Sequence, residues 1–288
     1  MPLLQGRGLW KSLILGSCYF LFKLFALPLL IAHCLFFIAY FSLLFMIYST
    51  KGIVLRTIKY GETSVIASIF TELFGIQSYL VNGVRTSGKT GNAHFFQPSS
   101  ILEMQVYHNE LKNLQRIKDL KWSVLYKNIL SDVIKNSVAL YLVELLQKSL
   151  KQPETNEDLF HFCEEAFLQL DIAGEEVTAN FPIYFSLQLA SFLGFRLQDN
   201  YSEVKNVFNL QEGNFSAENS TSPNQLSAEI SFHISQLLKL SHSQDLMEIK
   251  LNRNTRKEIL KSLESYYSWH VSEFGSMKTL AILSEVIG

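Results

Sequence analysis

The pattern of apolar and polar residues changes twice along the chain. Residues 24–47, LFALPLLIAHCLFFIAYFSLLFMI, carry no charge at all. Over 51–125 apolar residues recur at every second position, which is typical of strands, and from Asn128 onward they recur at helical spacing. The pattern predicts an apolar extension at 1–45, a β domain at 46–125 and an α-helical domain at 126–288.

The β domain is predicted to contain five short strands. They are expected at 51–60, 63–71, 76–84, 101–107 and 114–124, with a polar, Gly-rich loop, TSGKTGN, at 86–92. Five strands within about 75 residues and one long loop favour a Greek-key barrel of the OB type over a sandwich. The expected fold class is therefore α+β, with an N-terminal OB-type β-barrel followed by an α-helical domain.

The helical domain is predicted to contain six helical segments and one irregular segment. Helices are expected at 129–150 (one helix or a broken pair), 157–172, 181–195, 224–240, 253–270 and 277–287. Residues 198–223 lose the helical period and contain the polar run SAENSTSPN, which predicts a cysteine-free loop excursion.

The apolar extension has three interpretations: periodicity does not separate an anchor from a start assigned too far upstream, and a signal sequence is disfavoured because the apolar core is long and no small-x-small cleavage site follows it. It contains no Asp or Glu, and its charges are Arg7, Lys11 and Lys23. The uncharged stretch is long enough to span a bilayer, and basic residues on its N-terminal side predict an anchor with a cytoplasmic N-terminus. A start assigned too far upstream of Met46 is the second interpretation, and a signal sequence is the third.

The near-neutral net charge of -1 conceals two domains of opposite sign. Residues 51–125 carry nine basic and five acidic residues, a balance of +4, whereas residues 126–288 carry 13 basic and 21 acidic residues, a balance of -8. The cysteines, Cys18, Cys34 and Cys163, are too few for a disulfide scaffold or a four-cysteine zinc site.

A basic barrel of this type is a common platform for single-stranded nucleic acid, because cations follow the phosphates and aromatic rings stack on bases. The candidate cations are Lys51, Arg56, Lys59, Arg85 and Lys89, and the aromatic residues close to them in sequence are Tyr60, Tyr79, Phe95 and Phe96. A solvated barrel surface with its aromatic residues in the core is the alternative.

A second basic cluster lies on neighbouring turns of one predicted helix and consists of Arg253, Arg256, Lys257 and Lys261. It predicts a contact with DNA or with an acidic peptide, and the alternative is a solvated helix face. His161 and Cys163, two positions apart on a helix, are predicted to be a packed histidine and a buried thiol, not metal ligands. The sequence contains no GxSxG, HExxH or complete phosphate-loop motif, so an enzyme has little support.

Several segments taken in order resemble one family. They are KGIVLRTIKYGETSVIASIFTELFGIQSYLVNGVR (51–85), ASFLGF (190–195), FNLQEGNF (208–215) and LKSLESYYSWHVSEFGSMKTLAILSEV (260–286). This order resembles bacterial RecO, the recombination mediator that binds and anneals single-stranded DNA. The resemblance covers 46–288 and begins where members of that family normally begin, which favours a start at Met46.

The resemblance implies a cytoplasmic, non-enzymatic protein without a small-molecule substrate. Its implied partners are single-stranded DNA, RecR, the acidic C-terminal tail of single-stranded DNA-binding protein and, indirectly, RecA. Many members carry a four-cysteine zinc finger near residues 200–220, but this segment contains no cysteine here, so no cofactor is expected. The alternative function is a membrane-anchored scaffold that is held by residues 24–47 and binds proteins through its helical domain.

Overall fold

The computed structural model describes residues 47–84, 92–218 and 224–287. The apolar extension at 1–45 lies outside these ranges, so its three interpretations stay predictions. Within the described ranges, no helix is long and apolar enough to cross a membrane. The described residues form a small compact unit, 47–48 with 107–111, and a large unit that contains the rest. In the small unit, the rings of Tyr48 and His108 meet edge-on with centroids 6.3 Å apart.

Five strands close into a barrel, which confirms the predicted OB-type architecture. They are β1 (Ile47–Tyr60), β2 (Ser64–Thr71), β3 (Gly75–Val81), β4 (Ile101–Tyr107) and β5 (Gln115–Trp122). Their order around the barrel is β1-β2-β3-β5-β4. β2 pairs antiparallel with both β1 and β3, whereas β3 and β5 run parallel, as a Greek-key connection requires.

The barrel interior is built by alternation of side chains along each strand. In β2, Val65, Ala67 and Ile69 are buried, whereas the residues between them are partly exposed. The pairing of β1 with β2 shifts register between Val54 and Arg56. Such an irregularity re-aims the side chains that follow it, and Arg56 becomes exposed opposite Ser68.

Six helices form the second part of the described chain. They are α1 (Val133–Ser149), α2 (Glu157–Ile172), α3 (Glu175–Phe192), α4 (Ala228–Leu238), α5 (Arg253–His270) and α6 (Lys278–Val286). A short 3-10 helix, Ser243–Glu248, precedes α5, and another, Ala93–Phe96, precedes β4. The helical domain predicted from the sequence is thus confirmed. Its helix α3 is buried along most of its length, as is expected of a central helix.

Local hydrogen bonds explain where the helix ends differ from the predicted ones. The helix predicted from residue 129 begins at Val133, because the Asp132 carboxylate accepts hydrogen bonds from the backbone N–H groups of Ile134 and Lys135. Residues before it are held by a second carboxylate. Asp171 at the end of α2 accepts the backbone N–H groups of residues 127, 128 and 129, each at 2.8 Å.

The segment 198–223, which was predicted to be an irregular excursion, contains a small β-hairpin. Its strands are β6 (Val207–Asn209) and β7 (Asn214–Ser216). Phe208 and Phe215 are buried, and their rings meet with centroids 5.0 Å apart. The side-chain amide of Asn200 both donates to the carbonyl of Phe215 and accepts from its N–H, at 2.9 and 2.7 Å. Aromatic packing and this paired hydrogen bond hold the hairpin.

The turn between β2 and β3 docks the barrel on the helical domain. Gly75, the first residue of β3 after this turn, has a φ of +62°, and a Cβ there would overlap the backbone of Glu154. Thr155 donates a hydrogen bond of 3.0 Å to the carbonyl of Leu73 in the same turn. Lys51 of β1 reaches the carboxylate of Glu164 in α2, with its Nζ 2.8 and 3.0 Å from the two oxygens. The barrel therefore contacts the helical domain closely both at the β2–β3 turn and at β1.

Candidate nucleic-acid interface

The outward side of β1, β2 and β3 carries no carboxylate, since none of the three strands contains Asp or Glu. β5 continues this surface, because Arg116 pairs beside Leu80 of β3. We call it the outer face, and its residues are Arg56, Ile58, Tyr60, Ser64, Ile66, Ser68, Ser78, Leu80 and Arg116. Strands 2 and 3 of OB barrels commonly form the surface that contacts oligonucleotides.

Rows of facing residues across the strands give the outer face its chemistry. One row runs from Ile58 through Ile66 and Leu80 to Arg116, and the next contains Arg56 and two serines. Arg56 and Arg116 are exposed, and neither guanidinium forms an ion pair or hydrogen bond with a described residue. Apolar and hydroxyl groups therefore lie between two cations that are available to phosphates.

The five barrel cations predicted to bind DNA do not all share this surface. Arg56 lies on the outer face, and Lys59 is exposed near the end of β1. Lys51 is not equivalent to them, because its ion pair with Glu164 faces the helical domain. Arg85 and Lys89 lie outside the described residues. Arg116 was counted in the charge balance but was not predicted to bind DNA. It lies at the margin of the outer face opposite Arg56.

The aromatic residues near these cations divide into core and surface groups. Tyr60 is 52% exposed, whereas Tyr79 is fully buried and Phe96 is 3% exposed. Burial raises the pKa of Tyr79, because its ionised form would lie in the barrel interior. The prediction that Tyr79 and Phe96 offer stacking faces is therefore wrong, and both belong to the core. Phe95 is partly exposed and packs against Trp122, which the sequence analysis did not select.

The second predicted basic cluster on α5 is partly engaged in holding the C-terminal helix. Arg253 donates to the carbonyl of Ser284 at 3.0 Å, and Arg256 donates to the carbonyls of Leu251 and Ile287. Lys257 and Lys261 are exposed, and their side chains have no partner within the described residues. The two arginines thus have a structural role in addition to any contact with DNA or a partner.

A cavity of about 570 Å³ lies among α1, α3 and α5. Its apolar lining includes Ile134, Ala179 and Ile249, and its charged lining comprises Lys135, Lys250, Arg256, Asp132, Glu175 and Glu176. Among described groups, the Oδ1 of Asn180 and the Nε of Arg256 are buried without a hydrogen-bond partner. Burial also lowers the pKa of Arg256 from its usual value. The cavity therefore offers apolar contact beside charged side chains of both signs.

One group of side chains at the barrel–helix junction has ligand atoms close enough for a cation. The ligand atoms of Glu72, Glu157 and His161 lie within 4.8 Å of one another. His161 is 49% exposed, so the prediction that it is packed is wrong, whereas Cys163 is buried as predicted. The Nε2 of His161 lies 3.5 and 3.6 Å from the two carboxylates, distances that equally suit ion pairs with a protonated imidazole.

Family models match both domains of this chain. The model described as "Recombination protein O N terminal" matches residues 46–126, and that described as "Recombination protein O C terminal" matches residues 130–279. The chain belongs to the Recombination protein O family. The boundary between the two matches falls where the barrel ends and the helical domain begins, and the resemblance inferred from the sequence is confirmed.

Individual Recombination protein O relatives match over nearly their whole length. DNA repair protein RecO of Flavobacterium psychrophilum is 33% identical over 250 residues, which cover 82% of this chain and 98% of the relative. DNA repair protein RecO of Azobacteroides pseudotrichonymphae is 30% identical over 241 residues, covering 84% and 99%. The protein of the same name from Christiangramia forsetii is 31% identical over 247 residues, covering 84% and 100%.

Proposed function

We propose that this chain acts in DNA repair as a non-catalytic recombination mediator in the cytoplasm. Its barrel binds and anneals single-stranded DNA, and with RecR it helps to load RecA onto strands coated by single-stranded DNA-binding protein. The observation that carries the proposal is the outer face, on which β1, β2 and β3 contain no Asp or Glu and on whose margins Arg56 and Arg116 have no partner within the described residues. Family membership supports the same role.

Binding on this surface follows from charge and shape. Arg56 and Arg116 neutralise phosphates and release condensed counterions, which favours binding at low salt. Tyr60 and the apolar row of Ile58, Ile66 and Leu80 contact unstacked bases, which a duplex keeps inside its helix. Annealing follows because cations on one surface reduce the repulsion between two strands that are held near each other.

The cavity in the helical domain supports the proposal that a protein partner with an acidic, apolar C-terminal tail binds there. An apolar C-terminal side chain fits beside Ile134 and Ile249. Lys250 is exposed at the same cavity and attracts the C-terminal carboxylate and the acidic residues of the tail. We propose that the tail of single-stranded DNA-binding protein binds in this cavity. These contacts do not identify a binding surface for RecR.

The DNA-binding proposal is tested by the salt dependence of affinity. For single strands, each phosphate contact contributes about 0.7 to the slope of log K against log salt concentration, so the double variant Arg56→Ala/Arg116→Ala loses about 1.4 from the slope. Fluorescence polarisation with a labelled oligonucleotide at several salt concentrations measures it. Lys121→Ala is the matched control, because Lys121 is already paired with Glu103 at 3.0 Å on the same barrel.

An unchanged slope in the double variant would show that the strand binds elsewhere. A slope that falls equally in Lys121→Ala would show that only the overall charge of the barrel matters.

A further inference from the structure

Three aromatic rings lie together at the junction of a 3-10 helix and the last strand of the barrel. His94 and Phe95 belong to the helix Ala93–Phe96, and Trp122 is the last residue of β5. The centroids of Phe95 and Trp122 are 4.8 Å apart with planes inclined at 34°, and those of His94 and Phe95 are 4.3 Å apart with planes inclined at 35°. We call these residues the ring cluster.

The ring cluster is a surface feature that the barrel holds in place. His94 is exposed, Phe95 and Trp122 are partly exposed, and the adjacent Phe96 is buried in the core. The carbonyl of Phe96 accepts a hydrogen bond of 2.8 Å from the hydroxyl of Thr57 in β1. The N–H of Ser123, directly after Trp122, donates to the carbonyl of Ile101 in β4. Both supports of the rings are thus fixed to strands.

The polar atoms of the ring cluster have no partner among the residues that the structure describes. Within the described ranges, neither the imidazole of His94 nor the indole N–H of Trp122 hydrogen-bonds to another residue. Thr57, which anchors the 3-10 helix, directly follows Arg56 in β1. The 3-10 helix that carries His94 and Phe95 is therefore fastened to the same strand as Arg56, and the ring cluster exposes π faces.

We propose that the ring cluster is a stacking site for unpaired nucleobases, and this inference rests on the proposed function. A fixed aromatic ring stacks on any base, because every base has a π face, and it contributes to affinity without any dependence on salt. The bases of a duplex are already stacked on each other, so the cluster selects single strands. Arg56 then holds the backbone while Phe95 and Trp122 hold a base.

The first test compares strands with and without bases. A thymidine oligonucleotide and an abasic oligonucleotide of the same length have the same phosphates, so the difference in their affinities measures contacts to bases. The wild-type full-length chain should bind the thymidine strand roughly tenfold more tightly. Phe95→Leu and Trp122→Leu should remove most of this preference and leave the salt slope unchanged, whereas Trp269→Leu, which changes an exposed aromatic residue of α5, should leave both unchanged.

The second test reports on the site directly and does not disturb the rings. The variant Trp10→Phe/Trp269→Phe keeps Trp122 as its one tryptophan. Its emission should be quenched when the thymidine strand binds and should change little with the abasic strand.

A further variant, His94→Ala, removes a ring of the cluster at an exposed position. It too should reduce the preference for bases, and circular dichroism checks that the fold is kept.

The two proposals fail in different ways. Steep salt dependence without any preference for bases, or an unchanged Trp122 emission while the thymidine strand is bound, would overturn the ring cluster as a base site and leave the outer face intact. Failure of the wild-type chain to bind either strand would overturn the proposed function and this inference with it.

Discussion

Tyr266 shows how one side chain fixes a distant backbone. Its hydroxyl donates a hydrogen bond of 2.6 Å to the carbonyl of Phe195, and its ring lies against Phe208 and His270. Burial raises its pKa to about 12, because the phenolate would lose hydration. Gly213, in the turn of the β6–β7 hairpin, approaches the same hydroxyl group so closely that a Cβ would lie 2.7 Å from it. Glycine is therefore required at this turn by both space and conformation.

Gly213→Ala should destabilise the protein strongly. The φ of Gly213 is +67°, which costs an alanine about 1 kcal/mol, and displacement of Tyr266 adds about 1–2 kcal/mol. Urea unfolding at pH 7 measures the loss. Gly61→Ala is the matched control, because Gly61 has a similar φ of +63° but has nothing within 4 Å of its Cβ position. Equal losses in the two variants would show that the contact with Tyr266 contributes nothing.

The sequence predicted the exposure of single residues well where exposure follows strand alternation. It predicted their burial and partners poorly where these depend on contacts that are remote in sequence. Arg56 is exposed as its position in β1 suggested, but nothing near Lys51 in sequence reveals its partner, Glu164, 113 residues away. Tyr79 was an apparent surface aromatic that the closed barrel places inside. Such errors arise because a strand has two faces, and the sequence alone does not show which one a closed barrel turns inward.

At the scale of elements, Asp171 joins the barrel to the helical domain. Burial disfavours its charge, but backbone N–H groups of residues 127–129 and the nearby Lys135 outweigh burial and hold its pKa below the usual value. The charged carboxylate thus organises the segment between β5 and α1. This connection has no apolar period of its own, so its conformation depends on a carboxylate about 40 residues later.

Asp171→Ala should lower the free energy of unfolding by about 3 kcal/mol at pH 7, since three backbone donors lose a charged acceptor. The folded pKa is depressed, so this stabilisation is complete above the unfolded value of about 3.9 and is lost as pH falls through the folded pKa. Urea unfolding at pH 7 and at pH 3 should show the difference from wild type shrinking at the lower pH. Asp199→Ala, an exposed carboxylate, is the control; a difference for Asp171→Ala that grows on acidification would contradict the assignment.

Long elements were predicted from the sequence, whereas short ones were missed. β4 at Ile101–Tyr107 and α5 at Arg253–His270 coincide with the predicted bounds, because each has a sustained period of its own. β6 and β7 contain three residues each, too few to show a period, and the hairpin is held in part because Phe208 packs against the distant Tyr266. The cavity and the ring cluster were missed for the same reason, since their residues come from separate parts of the chain.

At the scale of the whole molecule, the surfaces that we propose for DNA and for an acidic peptide are built from different domains. The outer face belongs to β1, β2, β3 and β5, whereas the cavity belongs to helices. No residue contributes to both. Binding at one of the proposed surfaces should therefore leave the other available.

Lys250→Glu should weaken binding of an acidic peptide with a C-terminal phenylalanine by about tenfold and leave affinity for single-stranded DNA unchanged. The physical reason is the replacement of attraction by repulsion at the cavity, worth about 1.4 kcal/mol. Polarisation of a labelled peptide measures it, with the C-terminally amidated peptide as a control for the carboxylate. Displacement of the peptide by the oligonucleotide would contradict separate surfaces, and normal peptide binding by the variant would exclude the cavity.

The close packing of Gly75 against Glu154 has a consequence for how a bound DNA strand would be released. Because no space remains where Gly75 packs against Glu154, and because Lys51 forms an ion pair with Glu164, the barrel has little freedom to move away from the helices. We expect the spacing between a bound strand and a bound tail to stay constant throughout the reaction. Under the proposed function, we expect the nucleotides to leave the barrel one contact after another, at a constant distance from the bound tail.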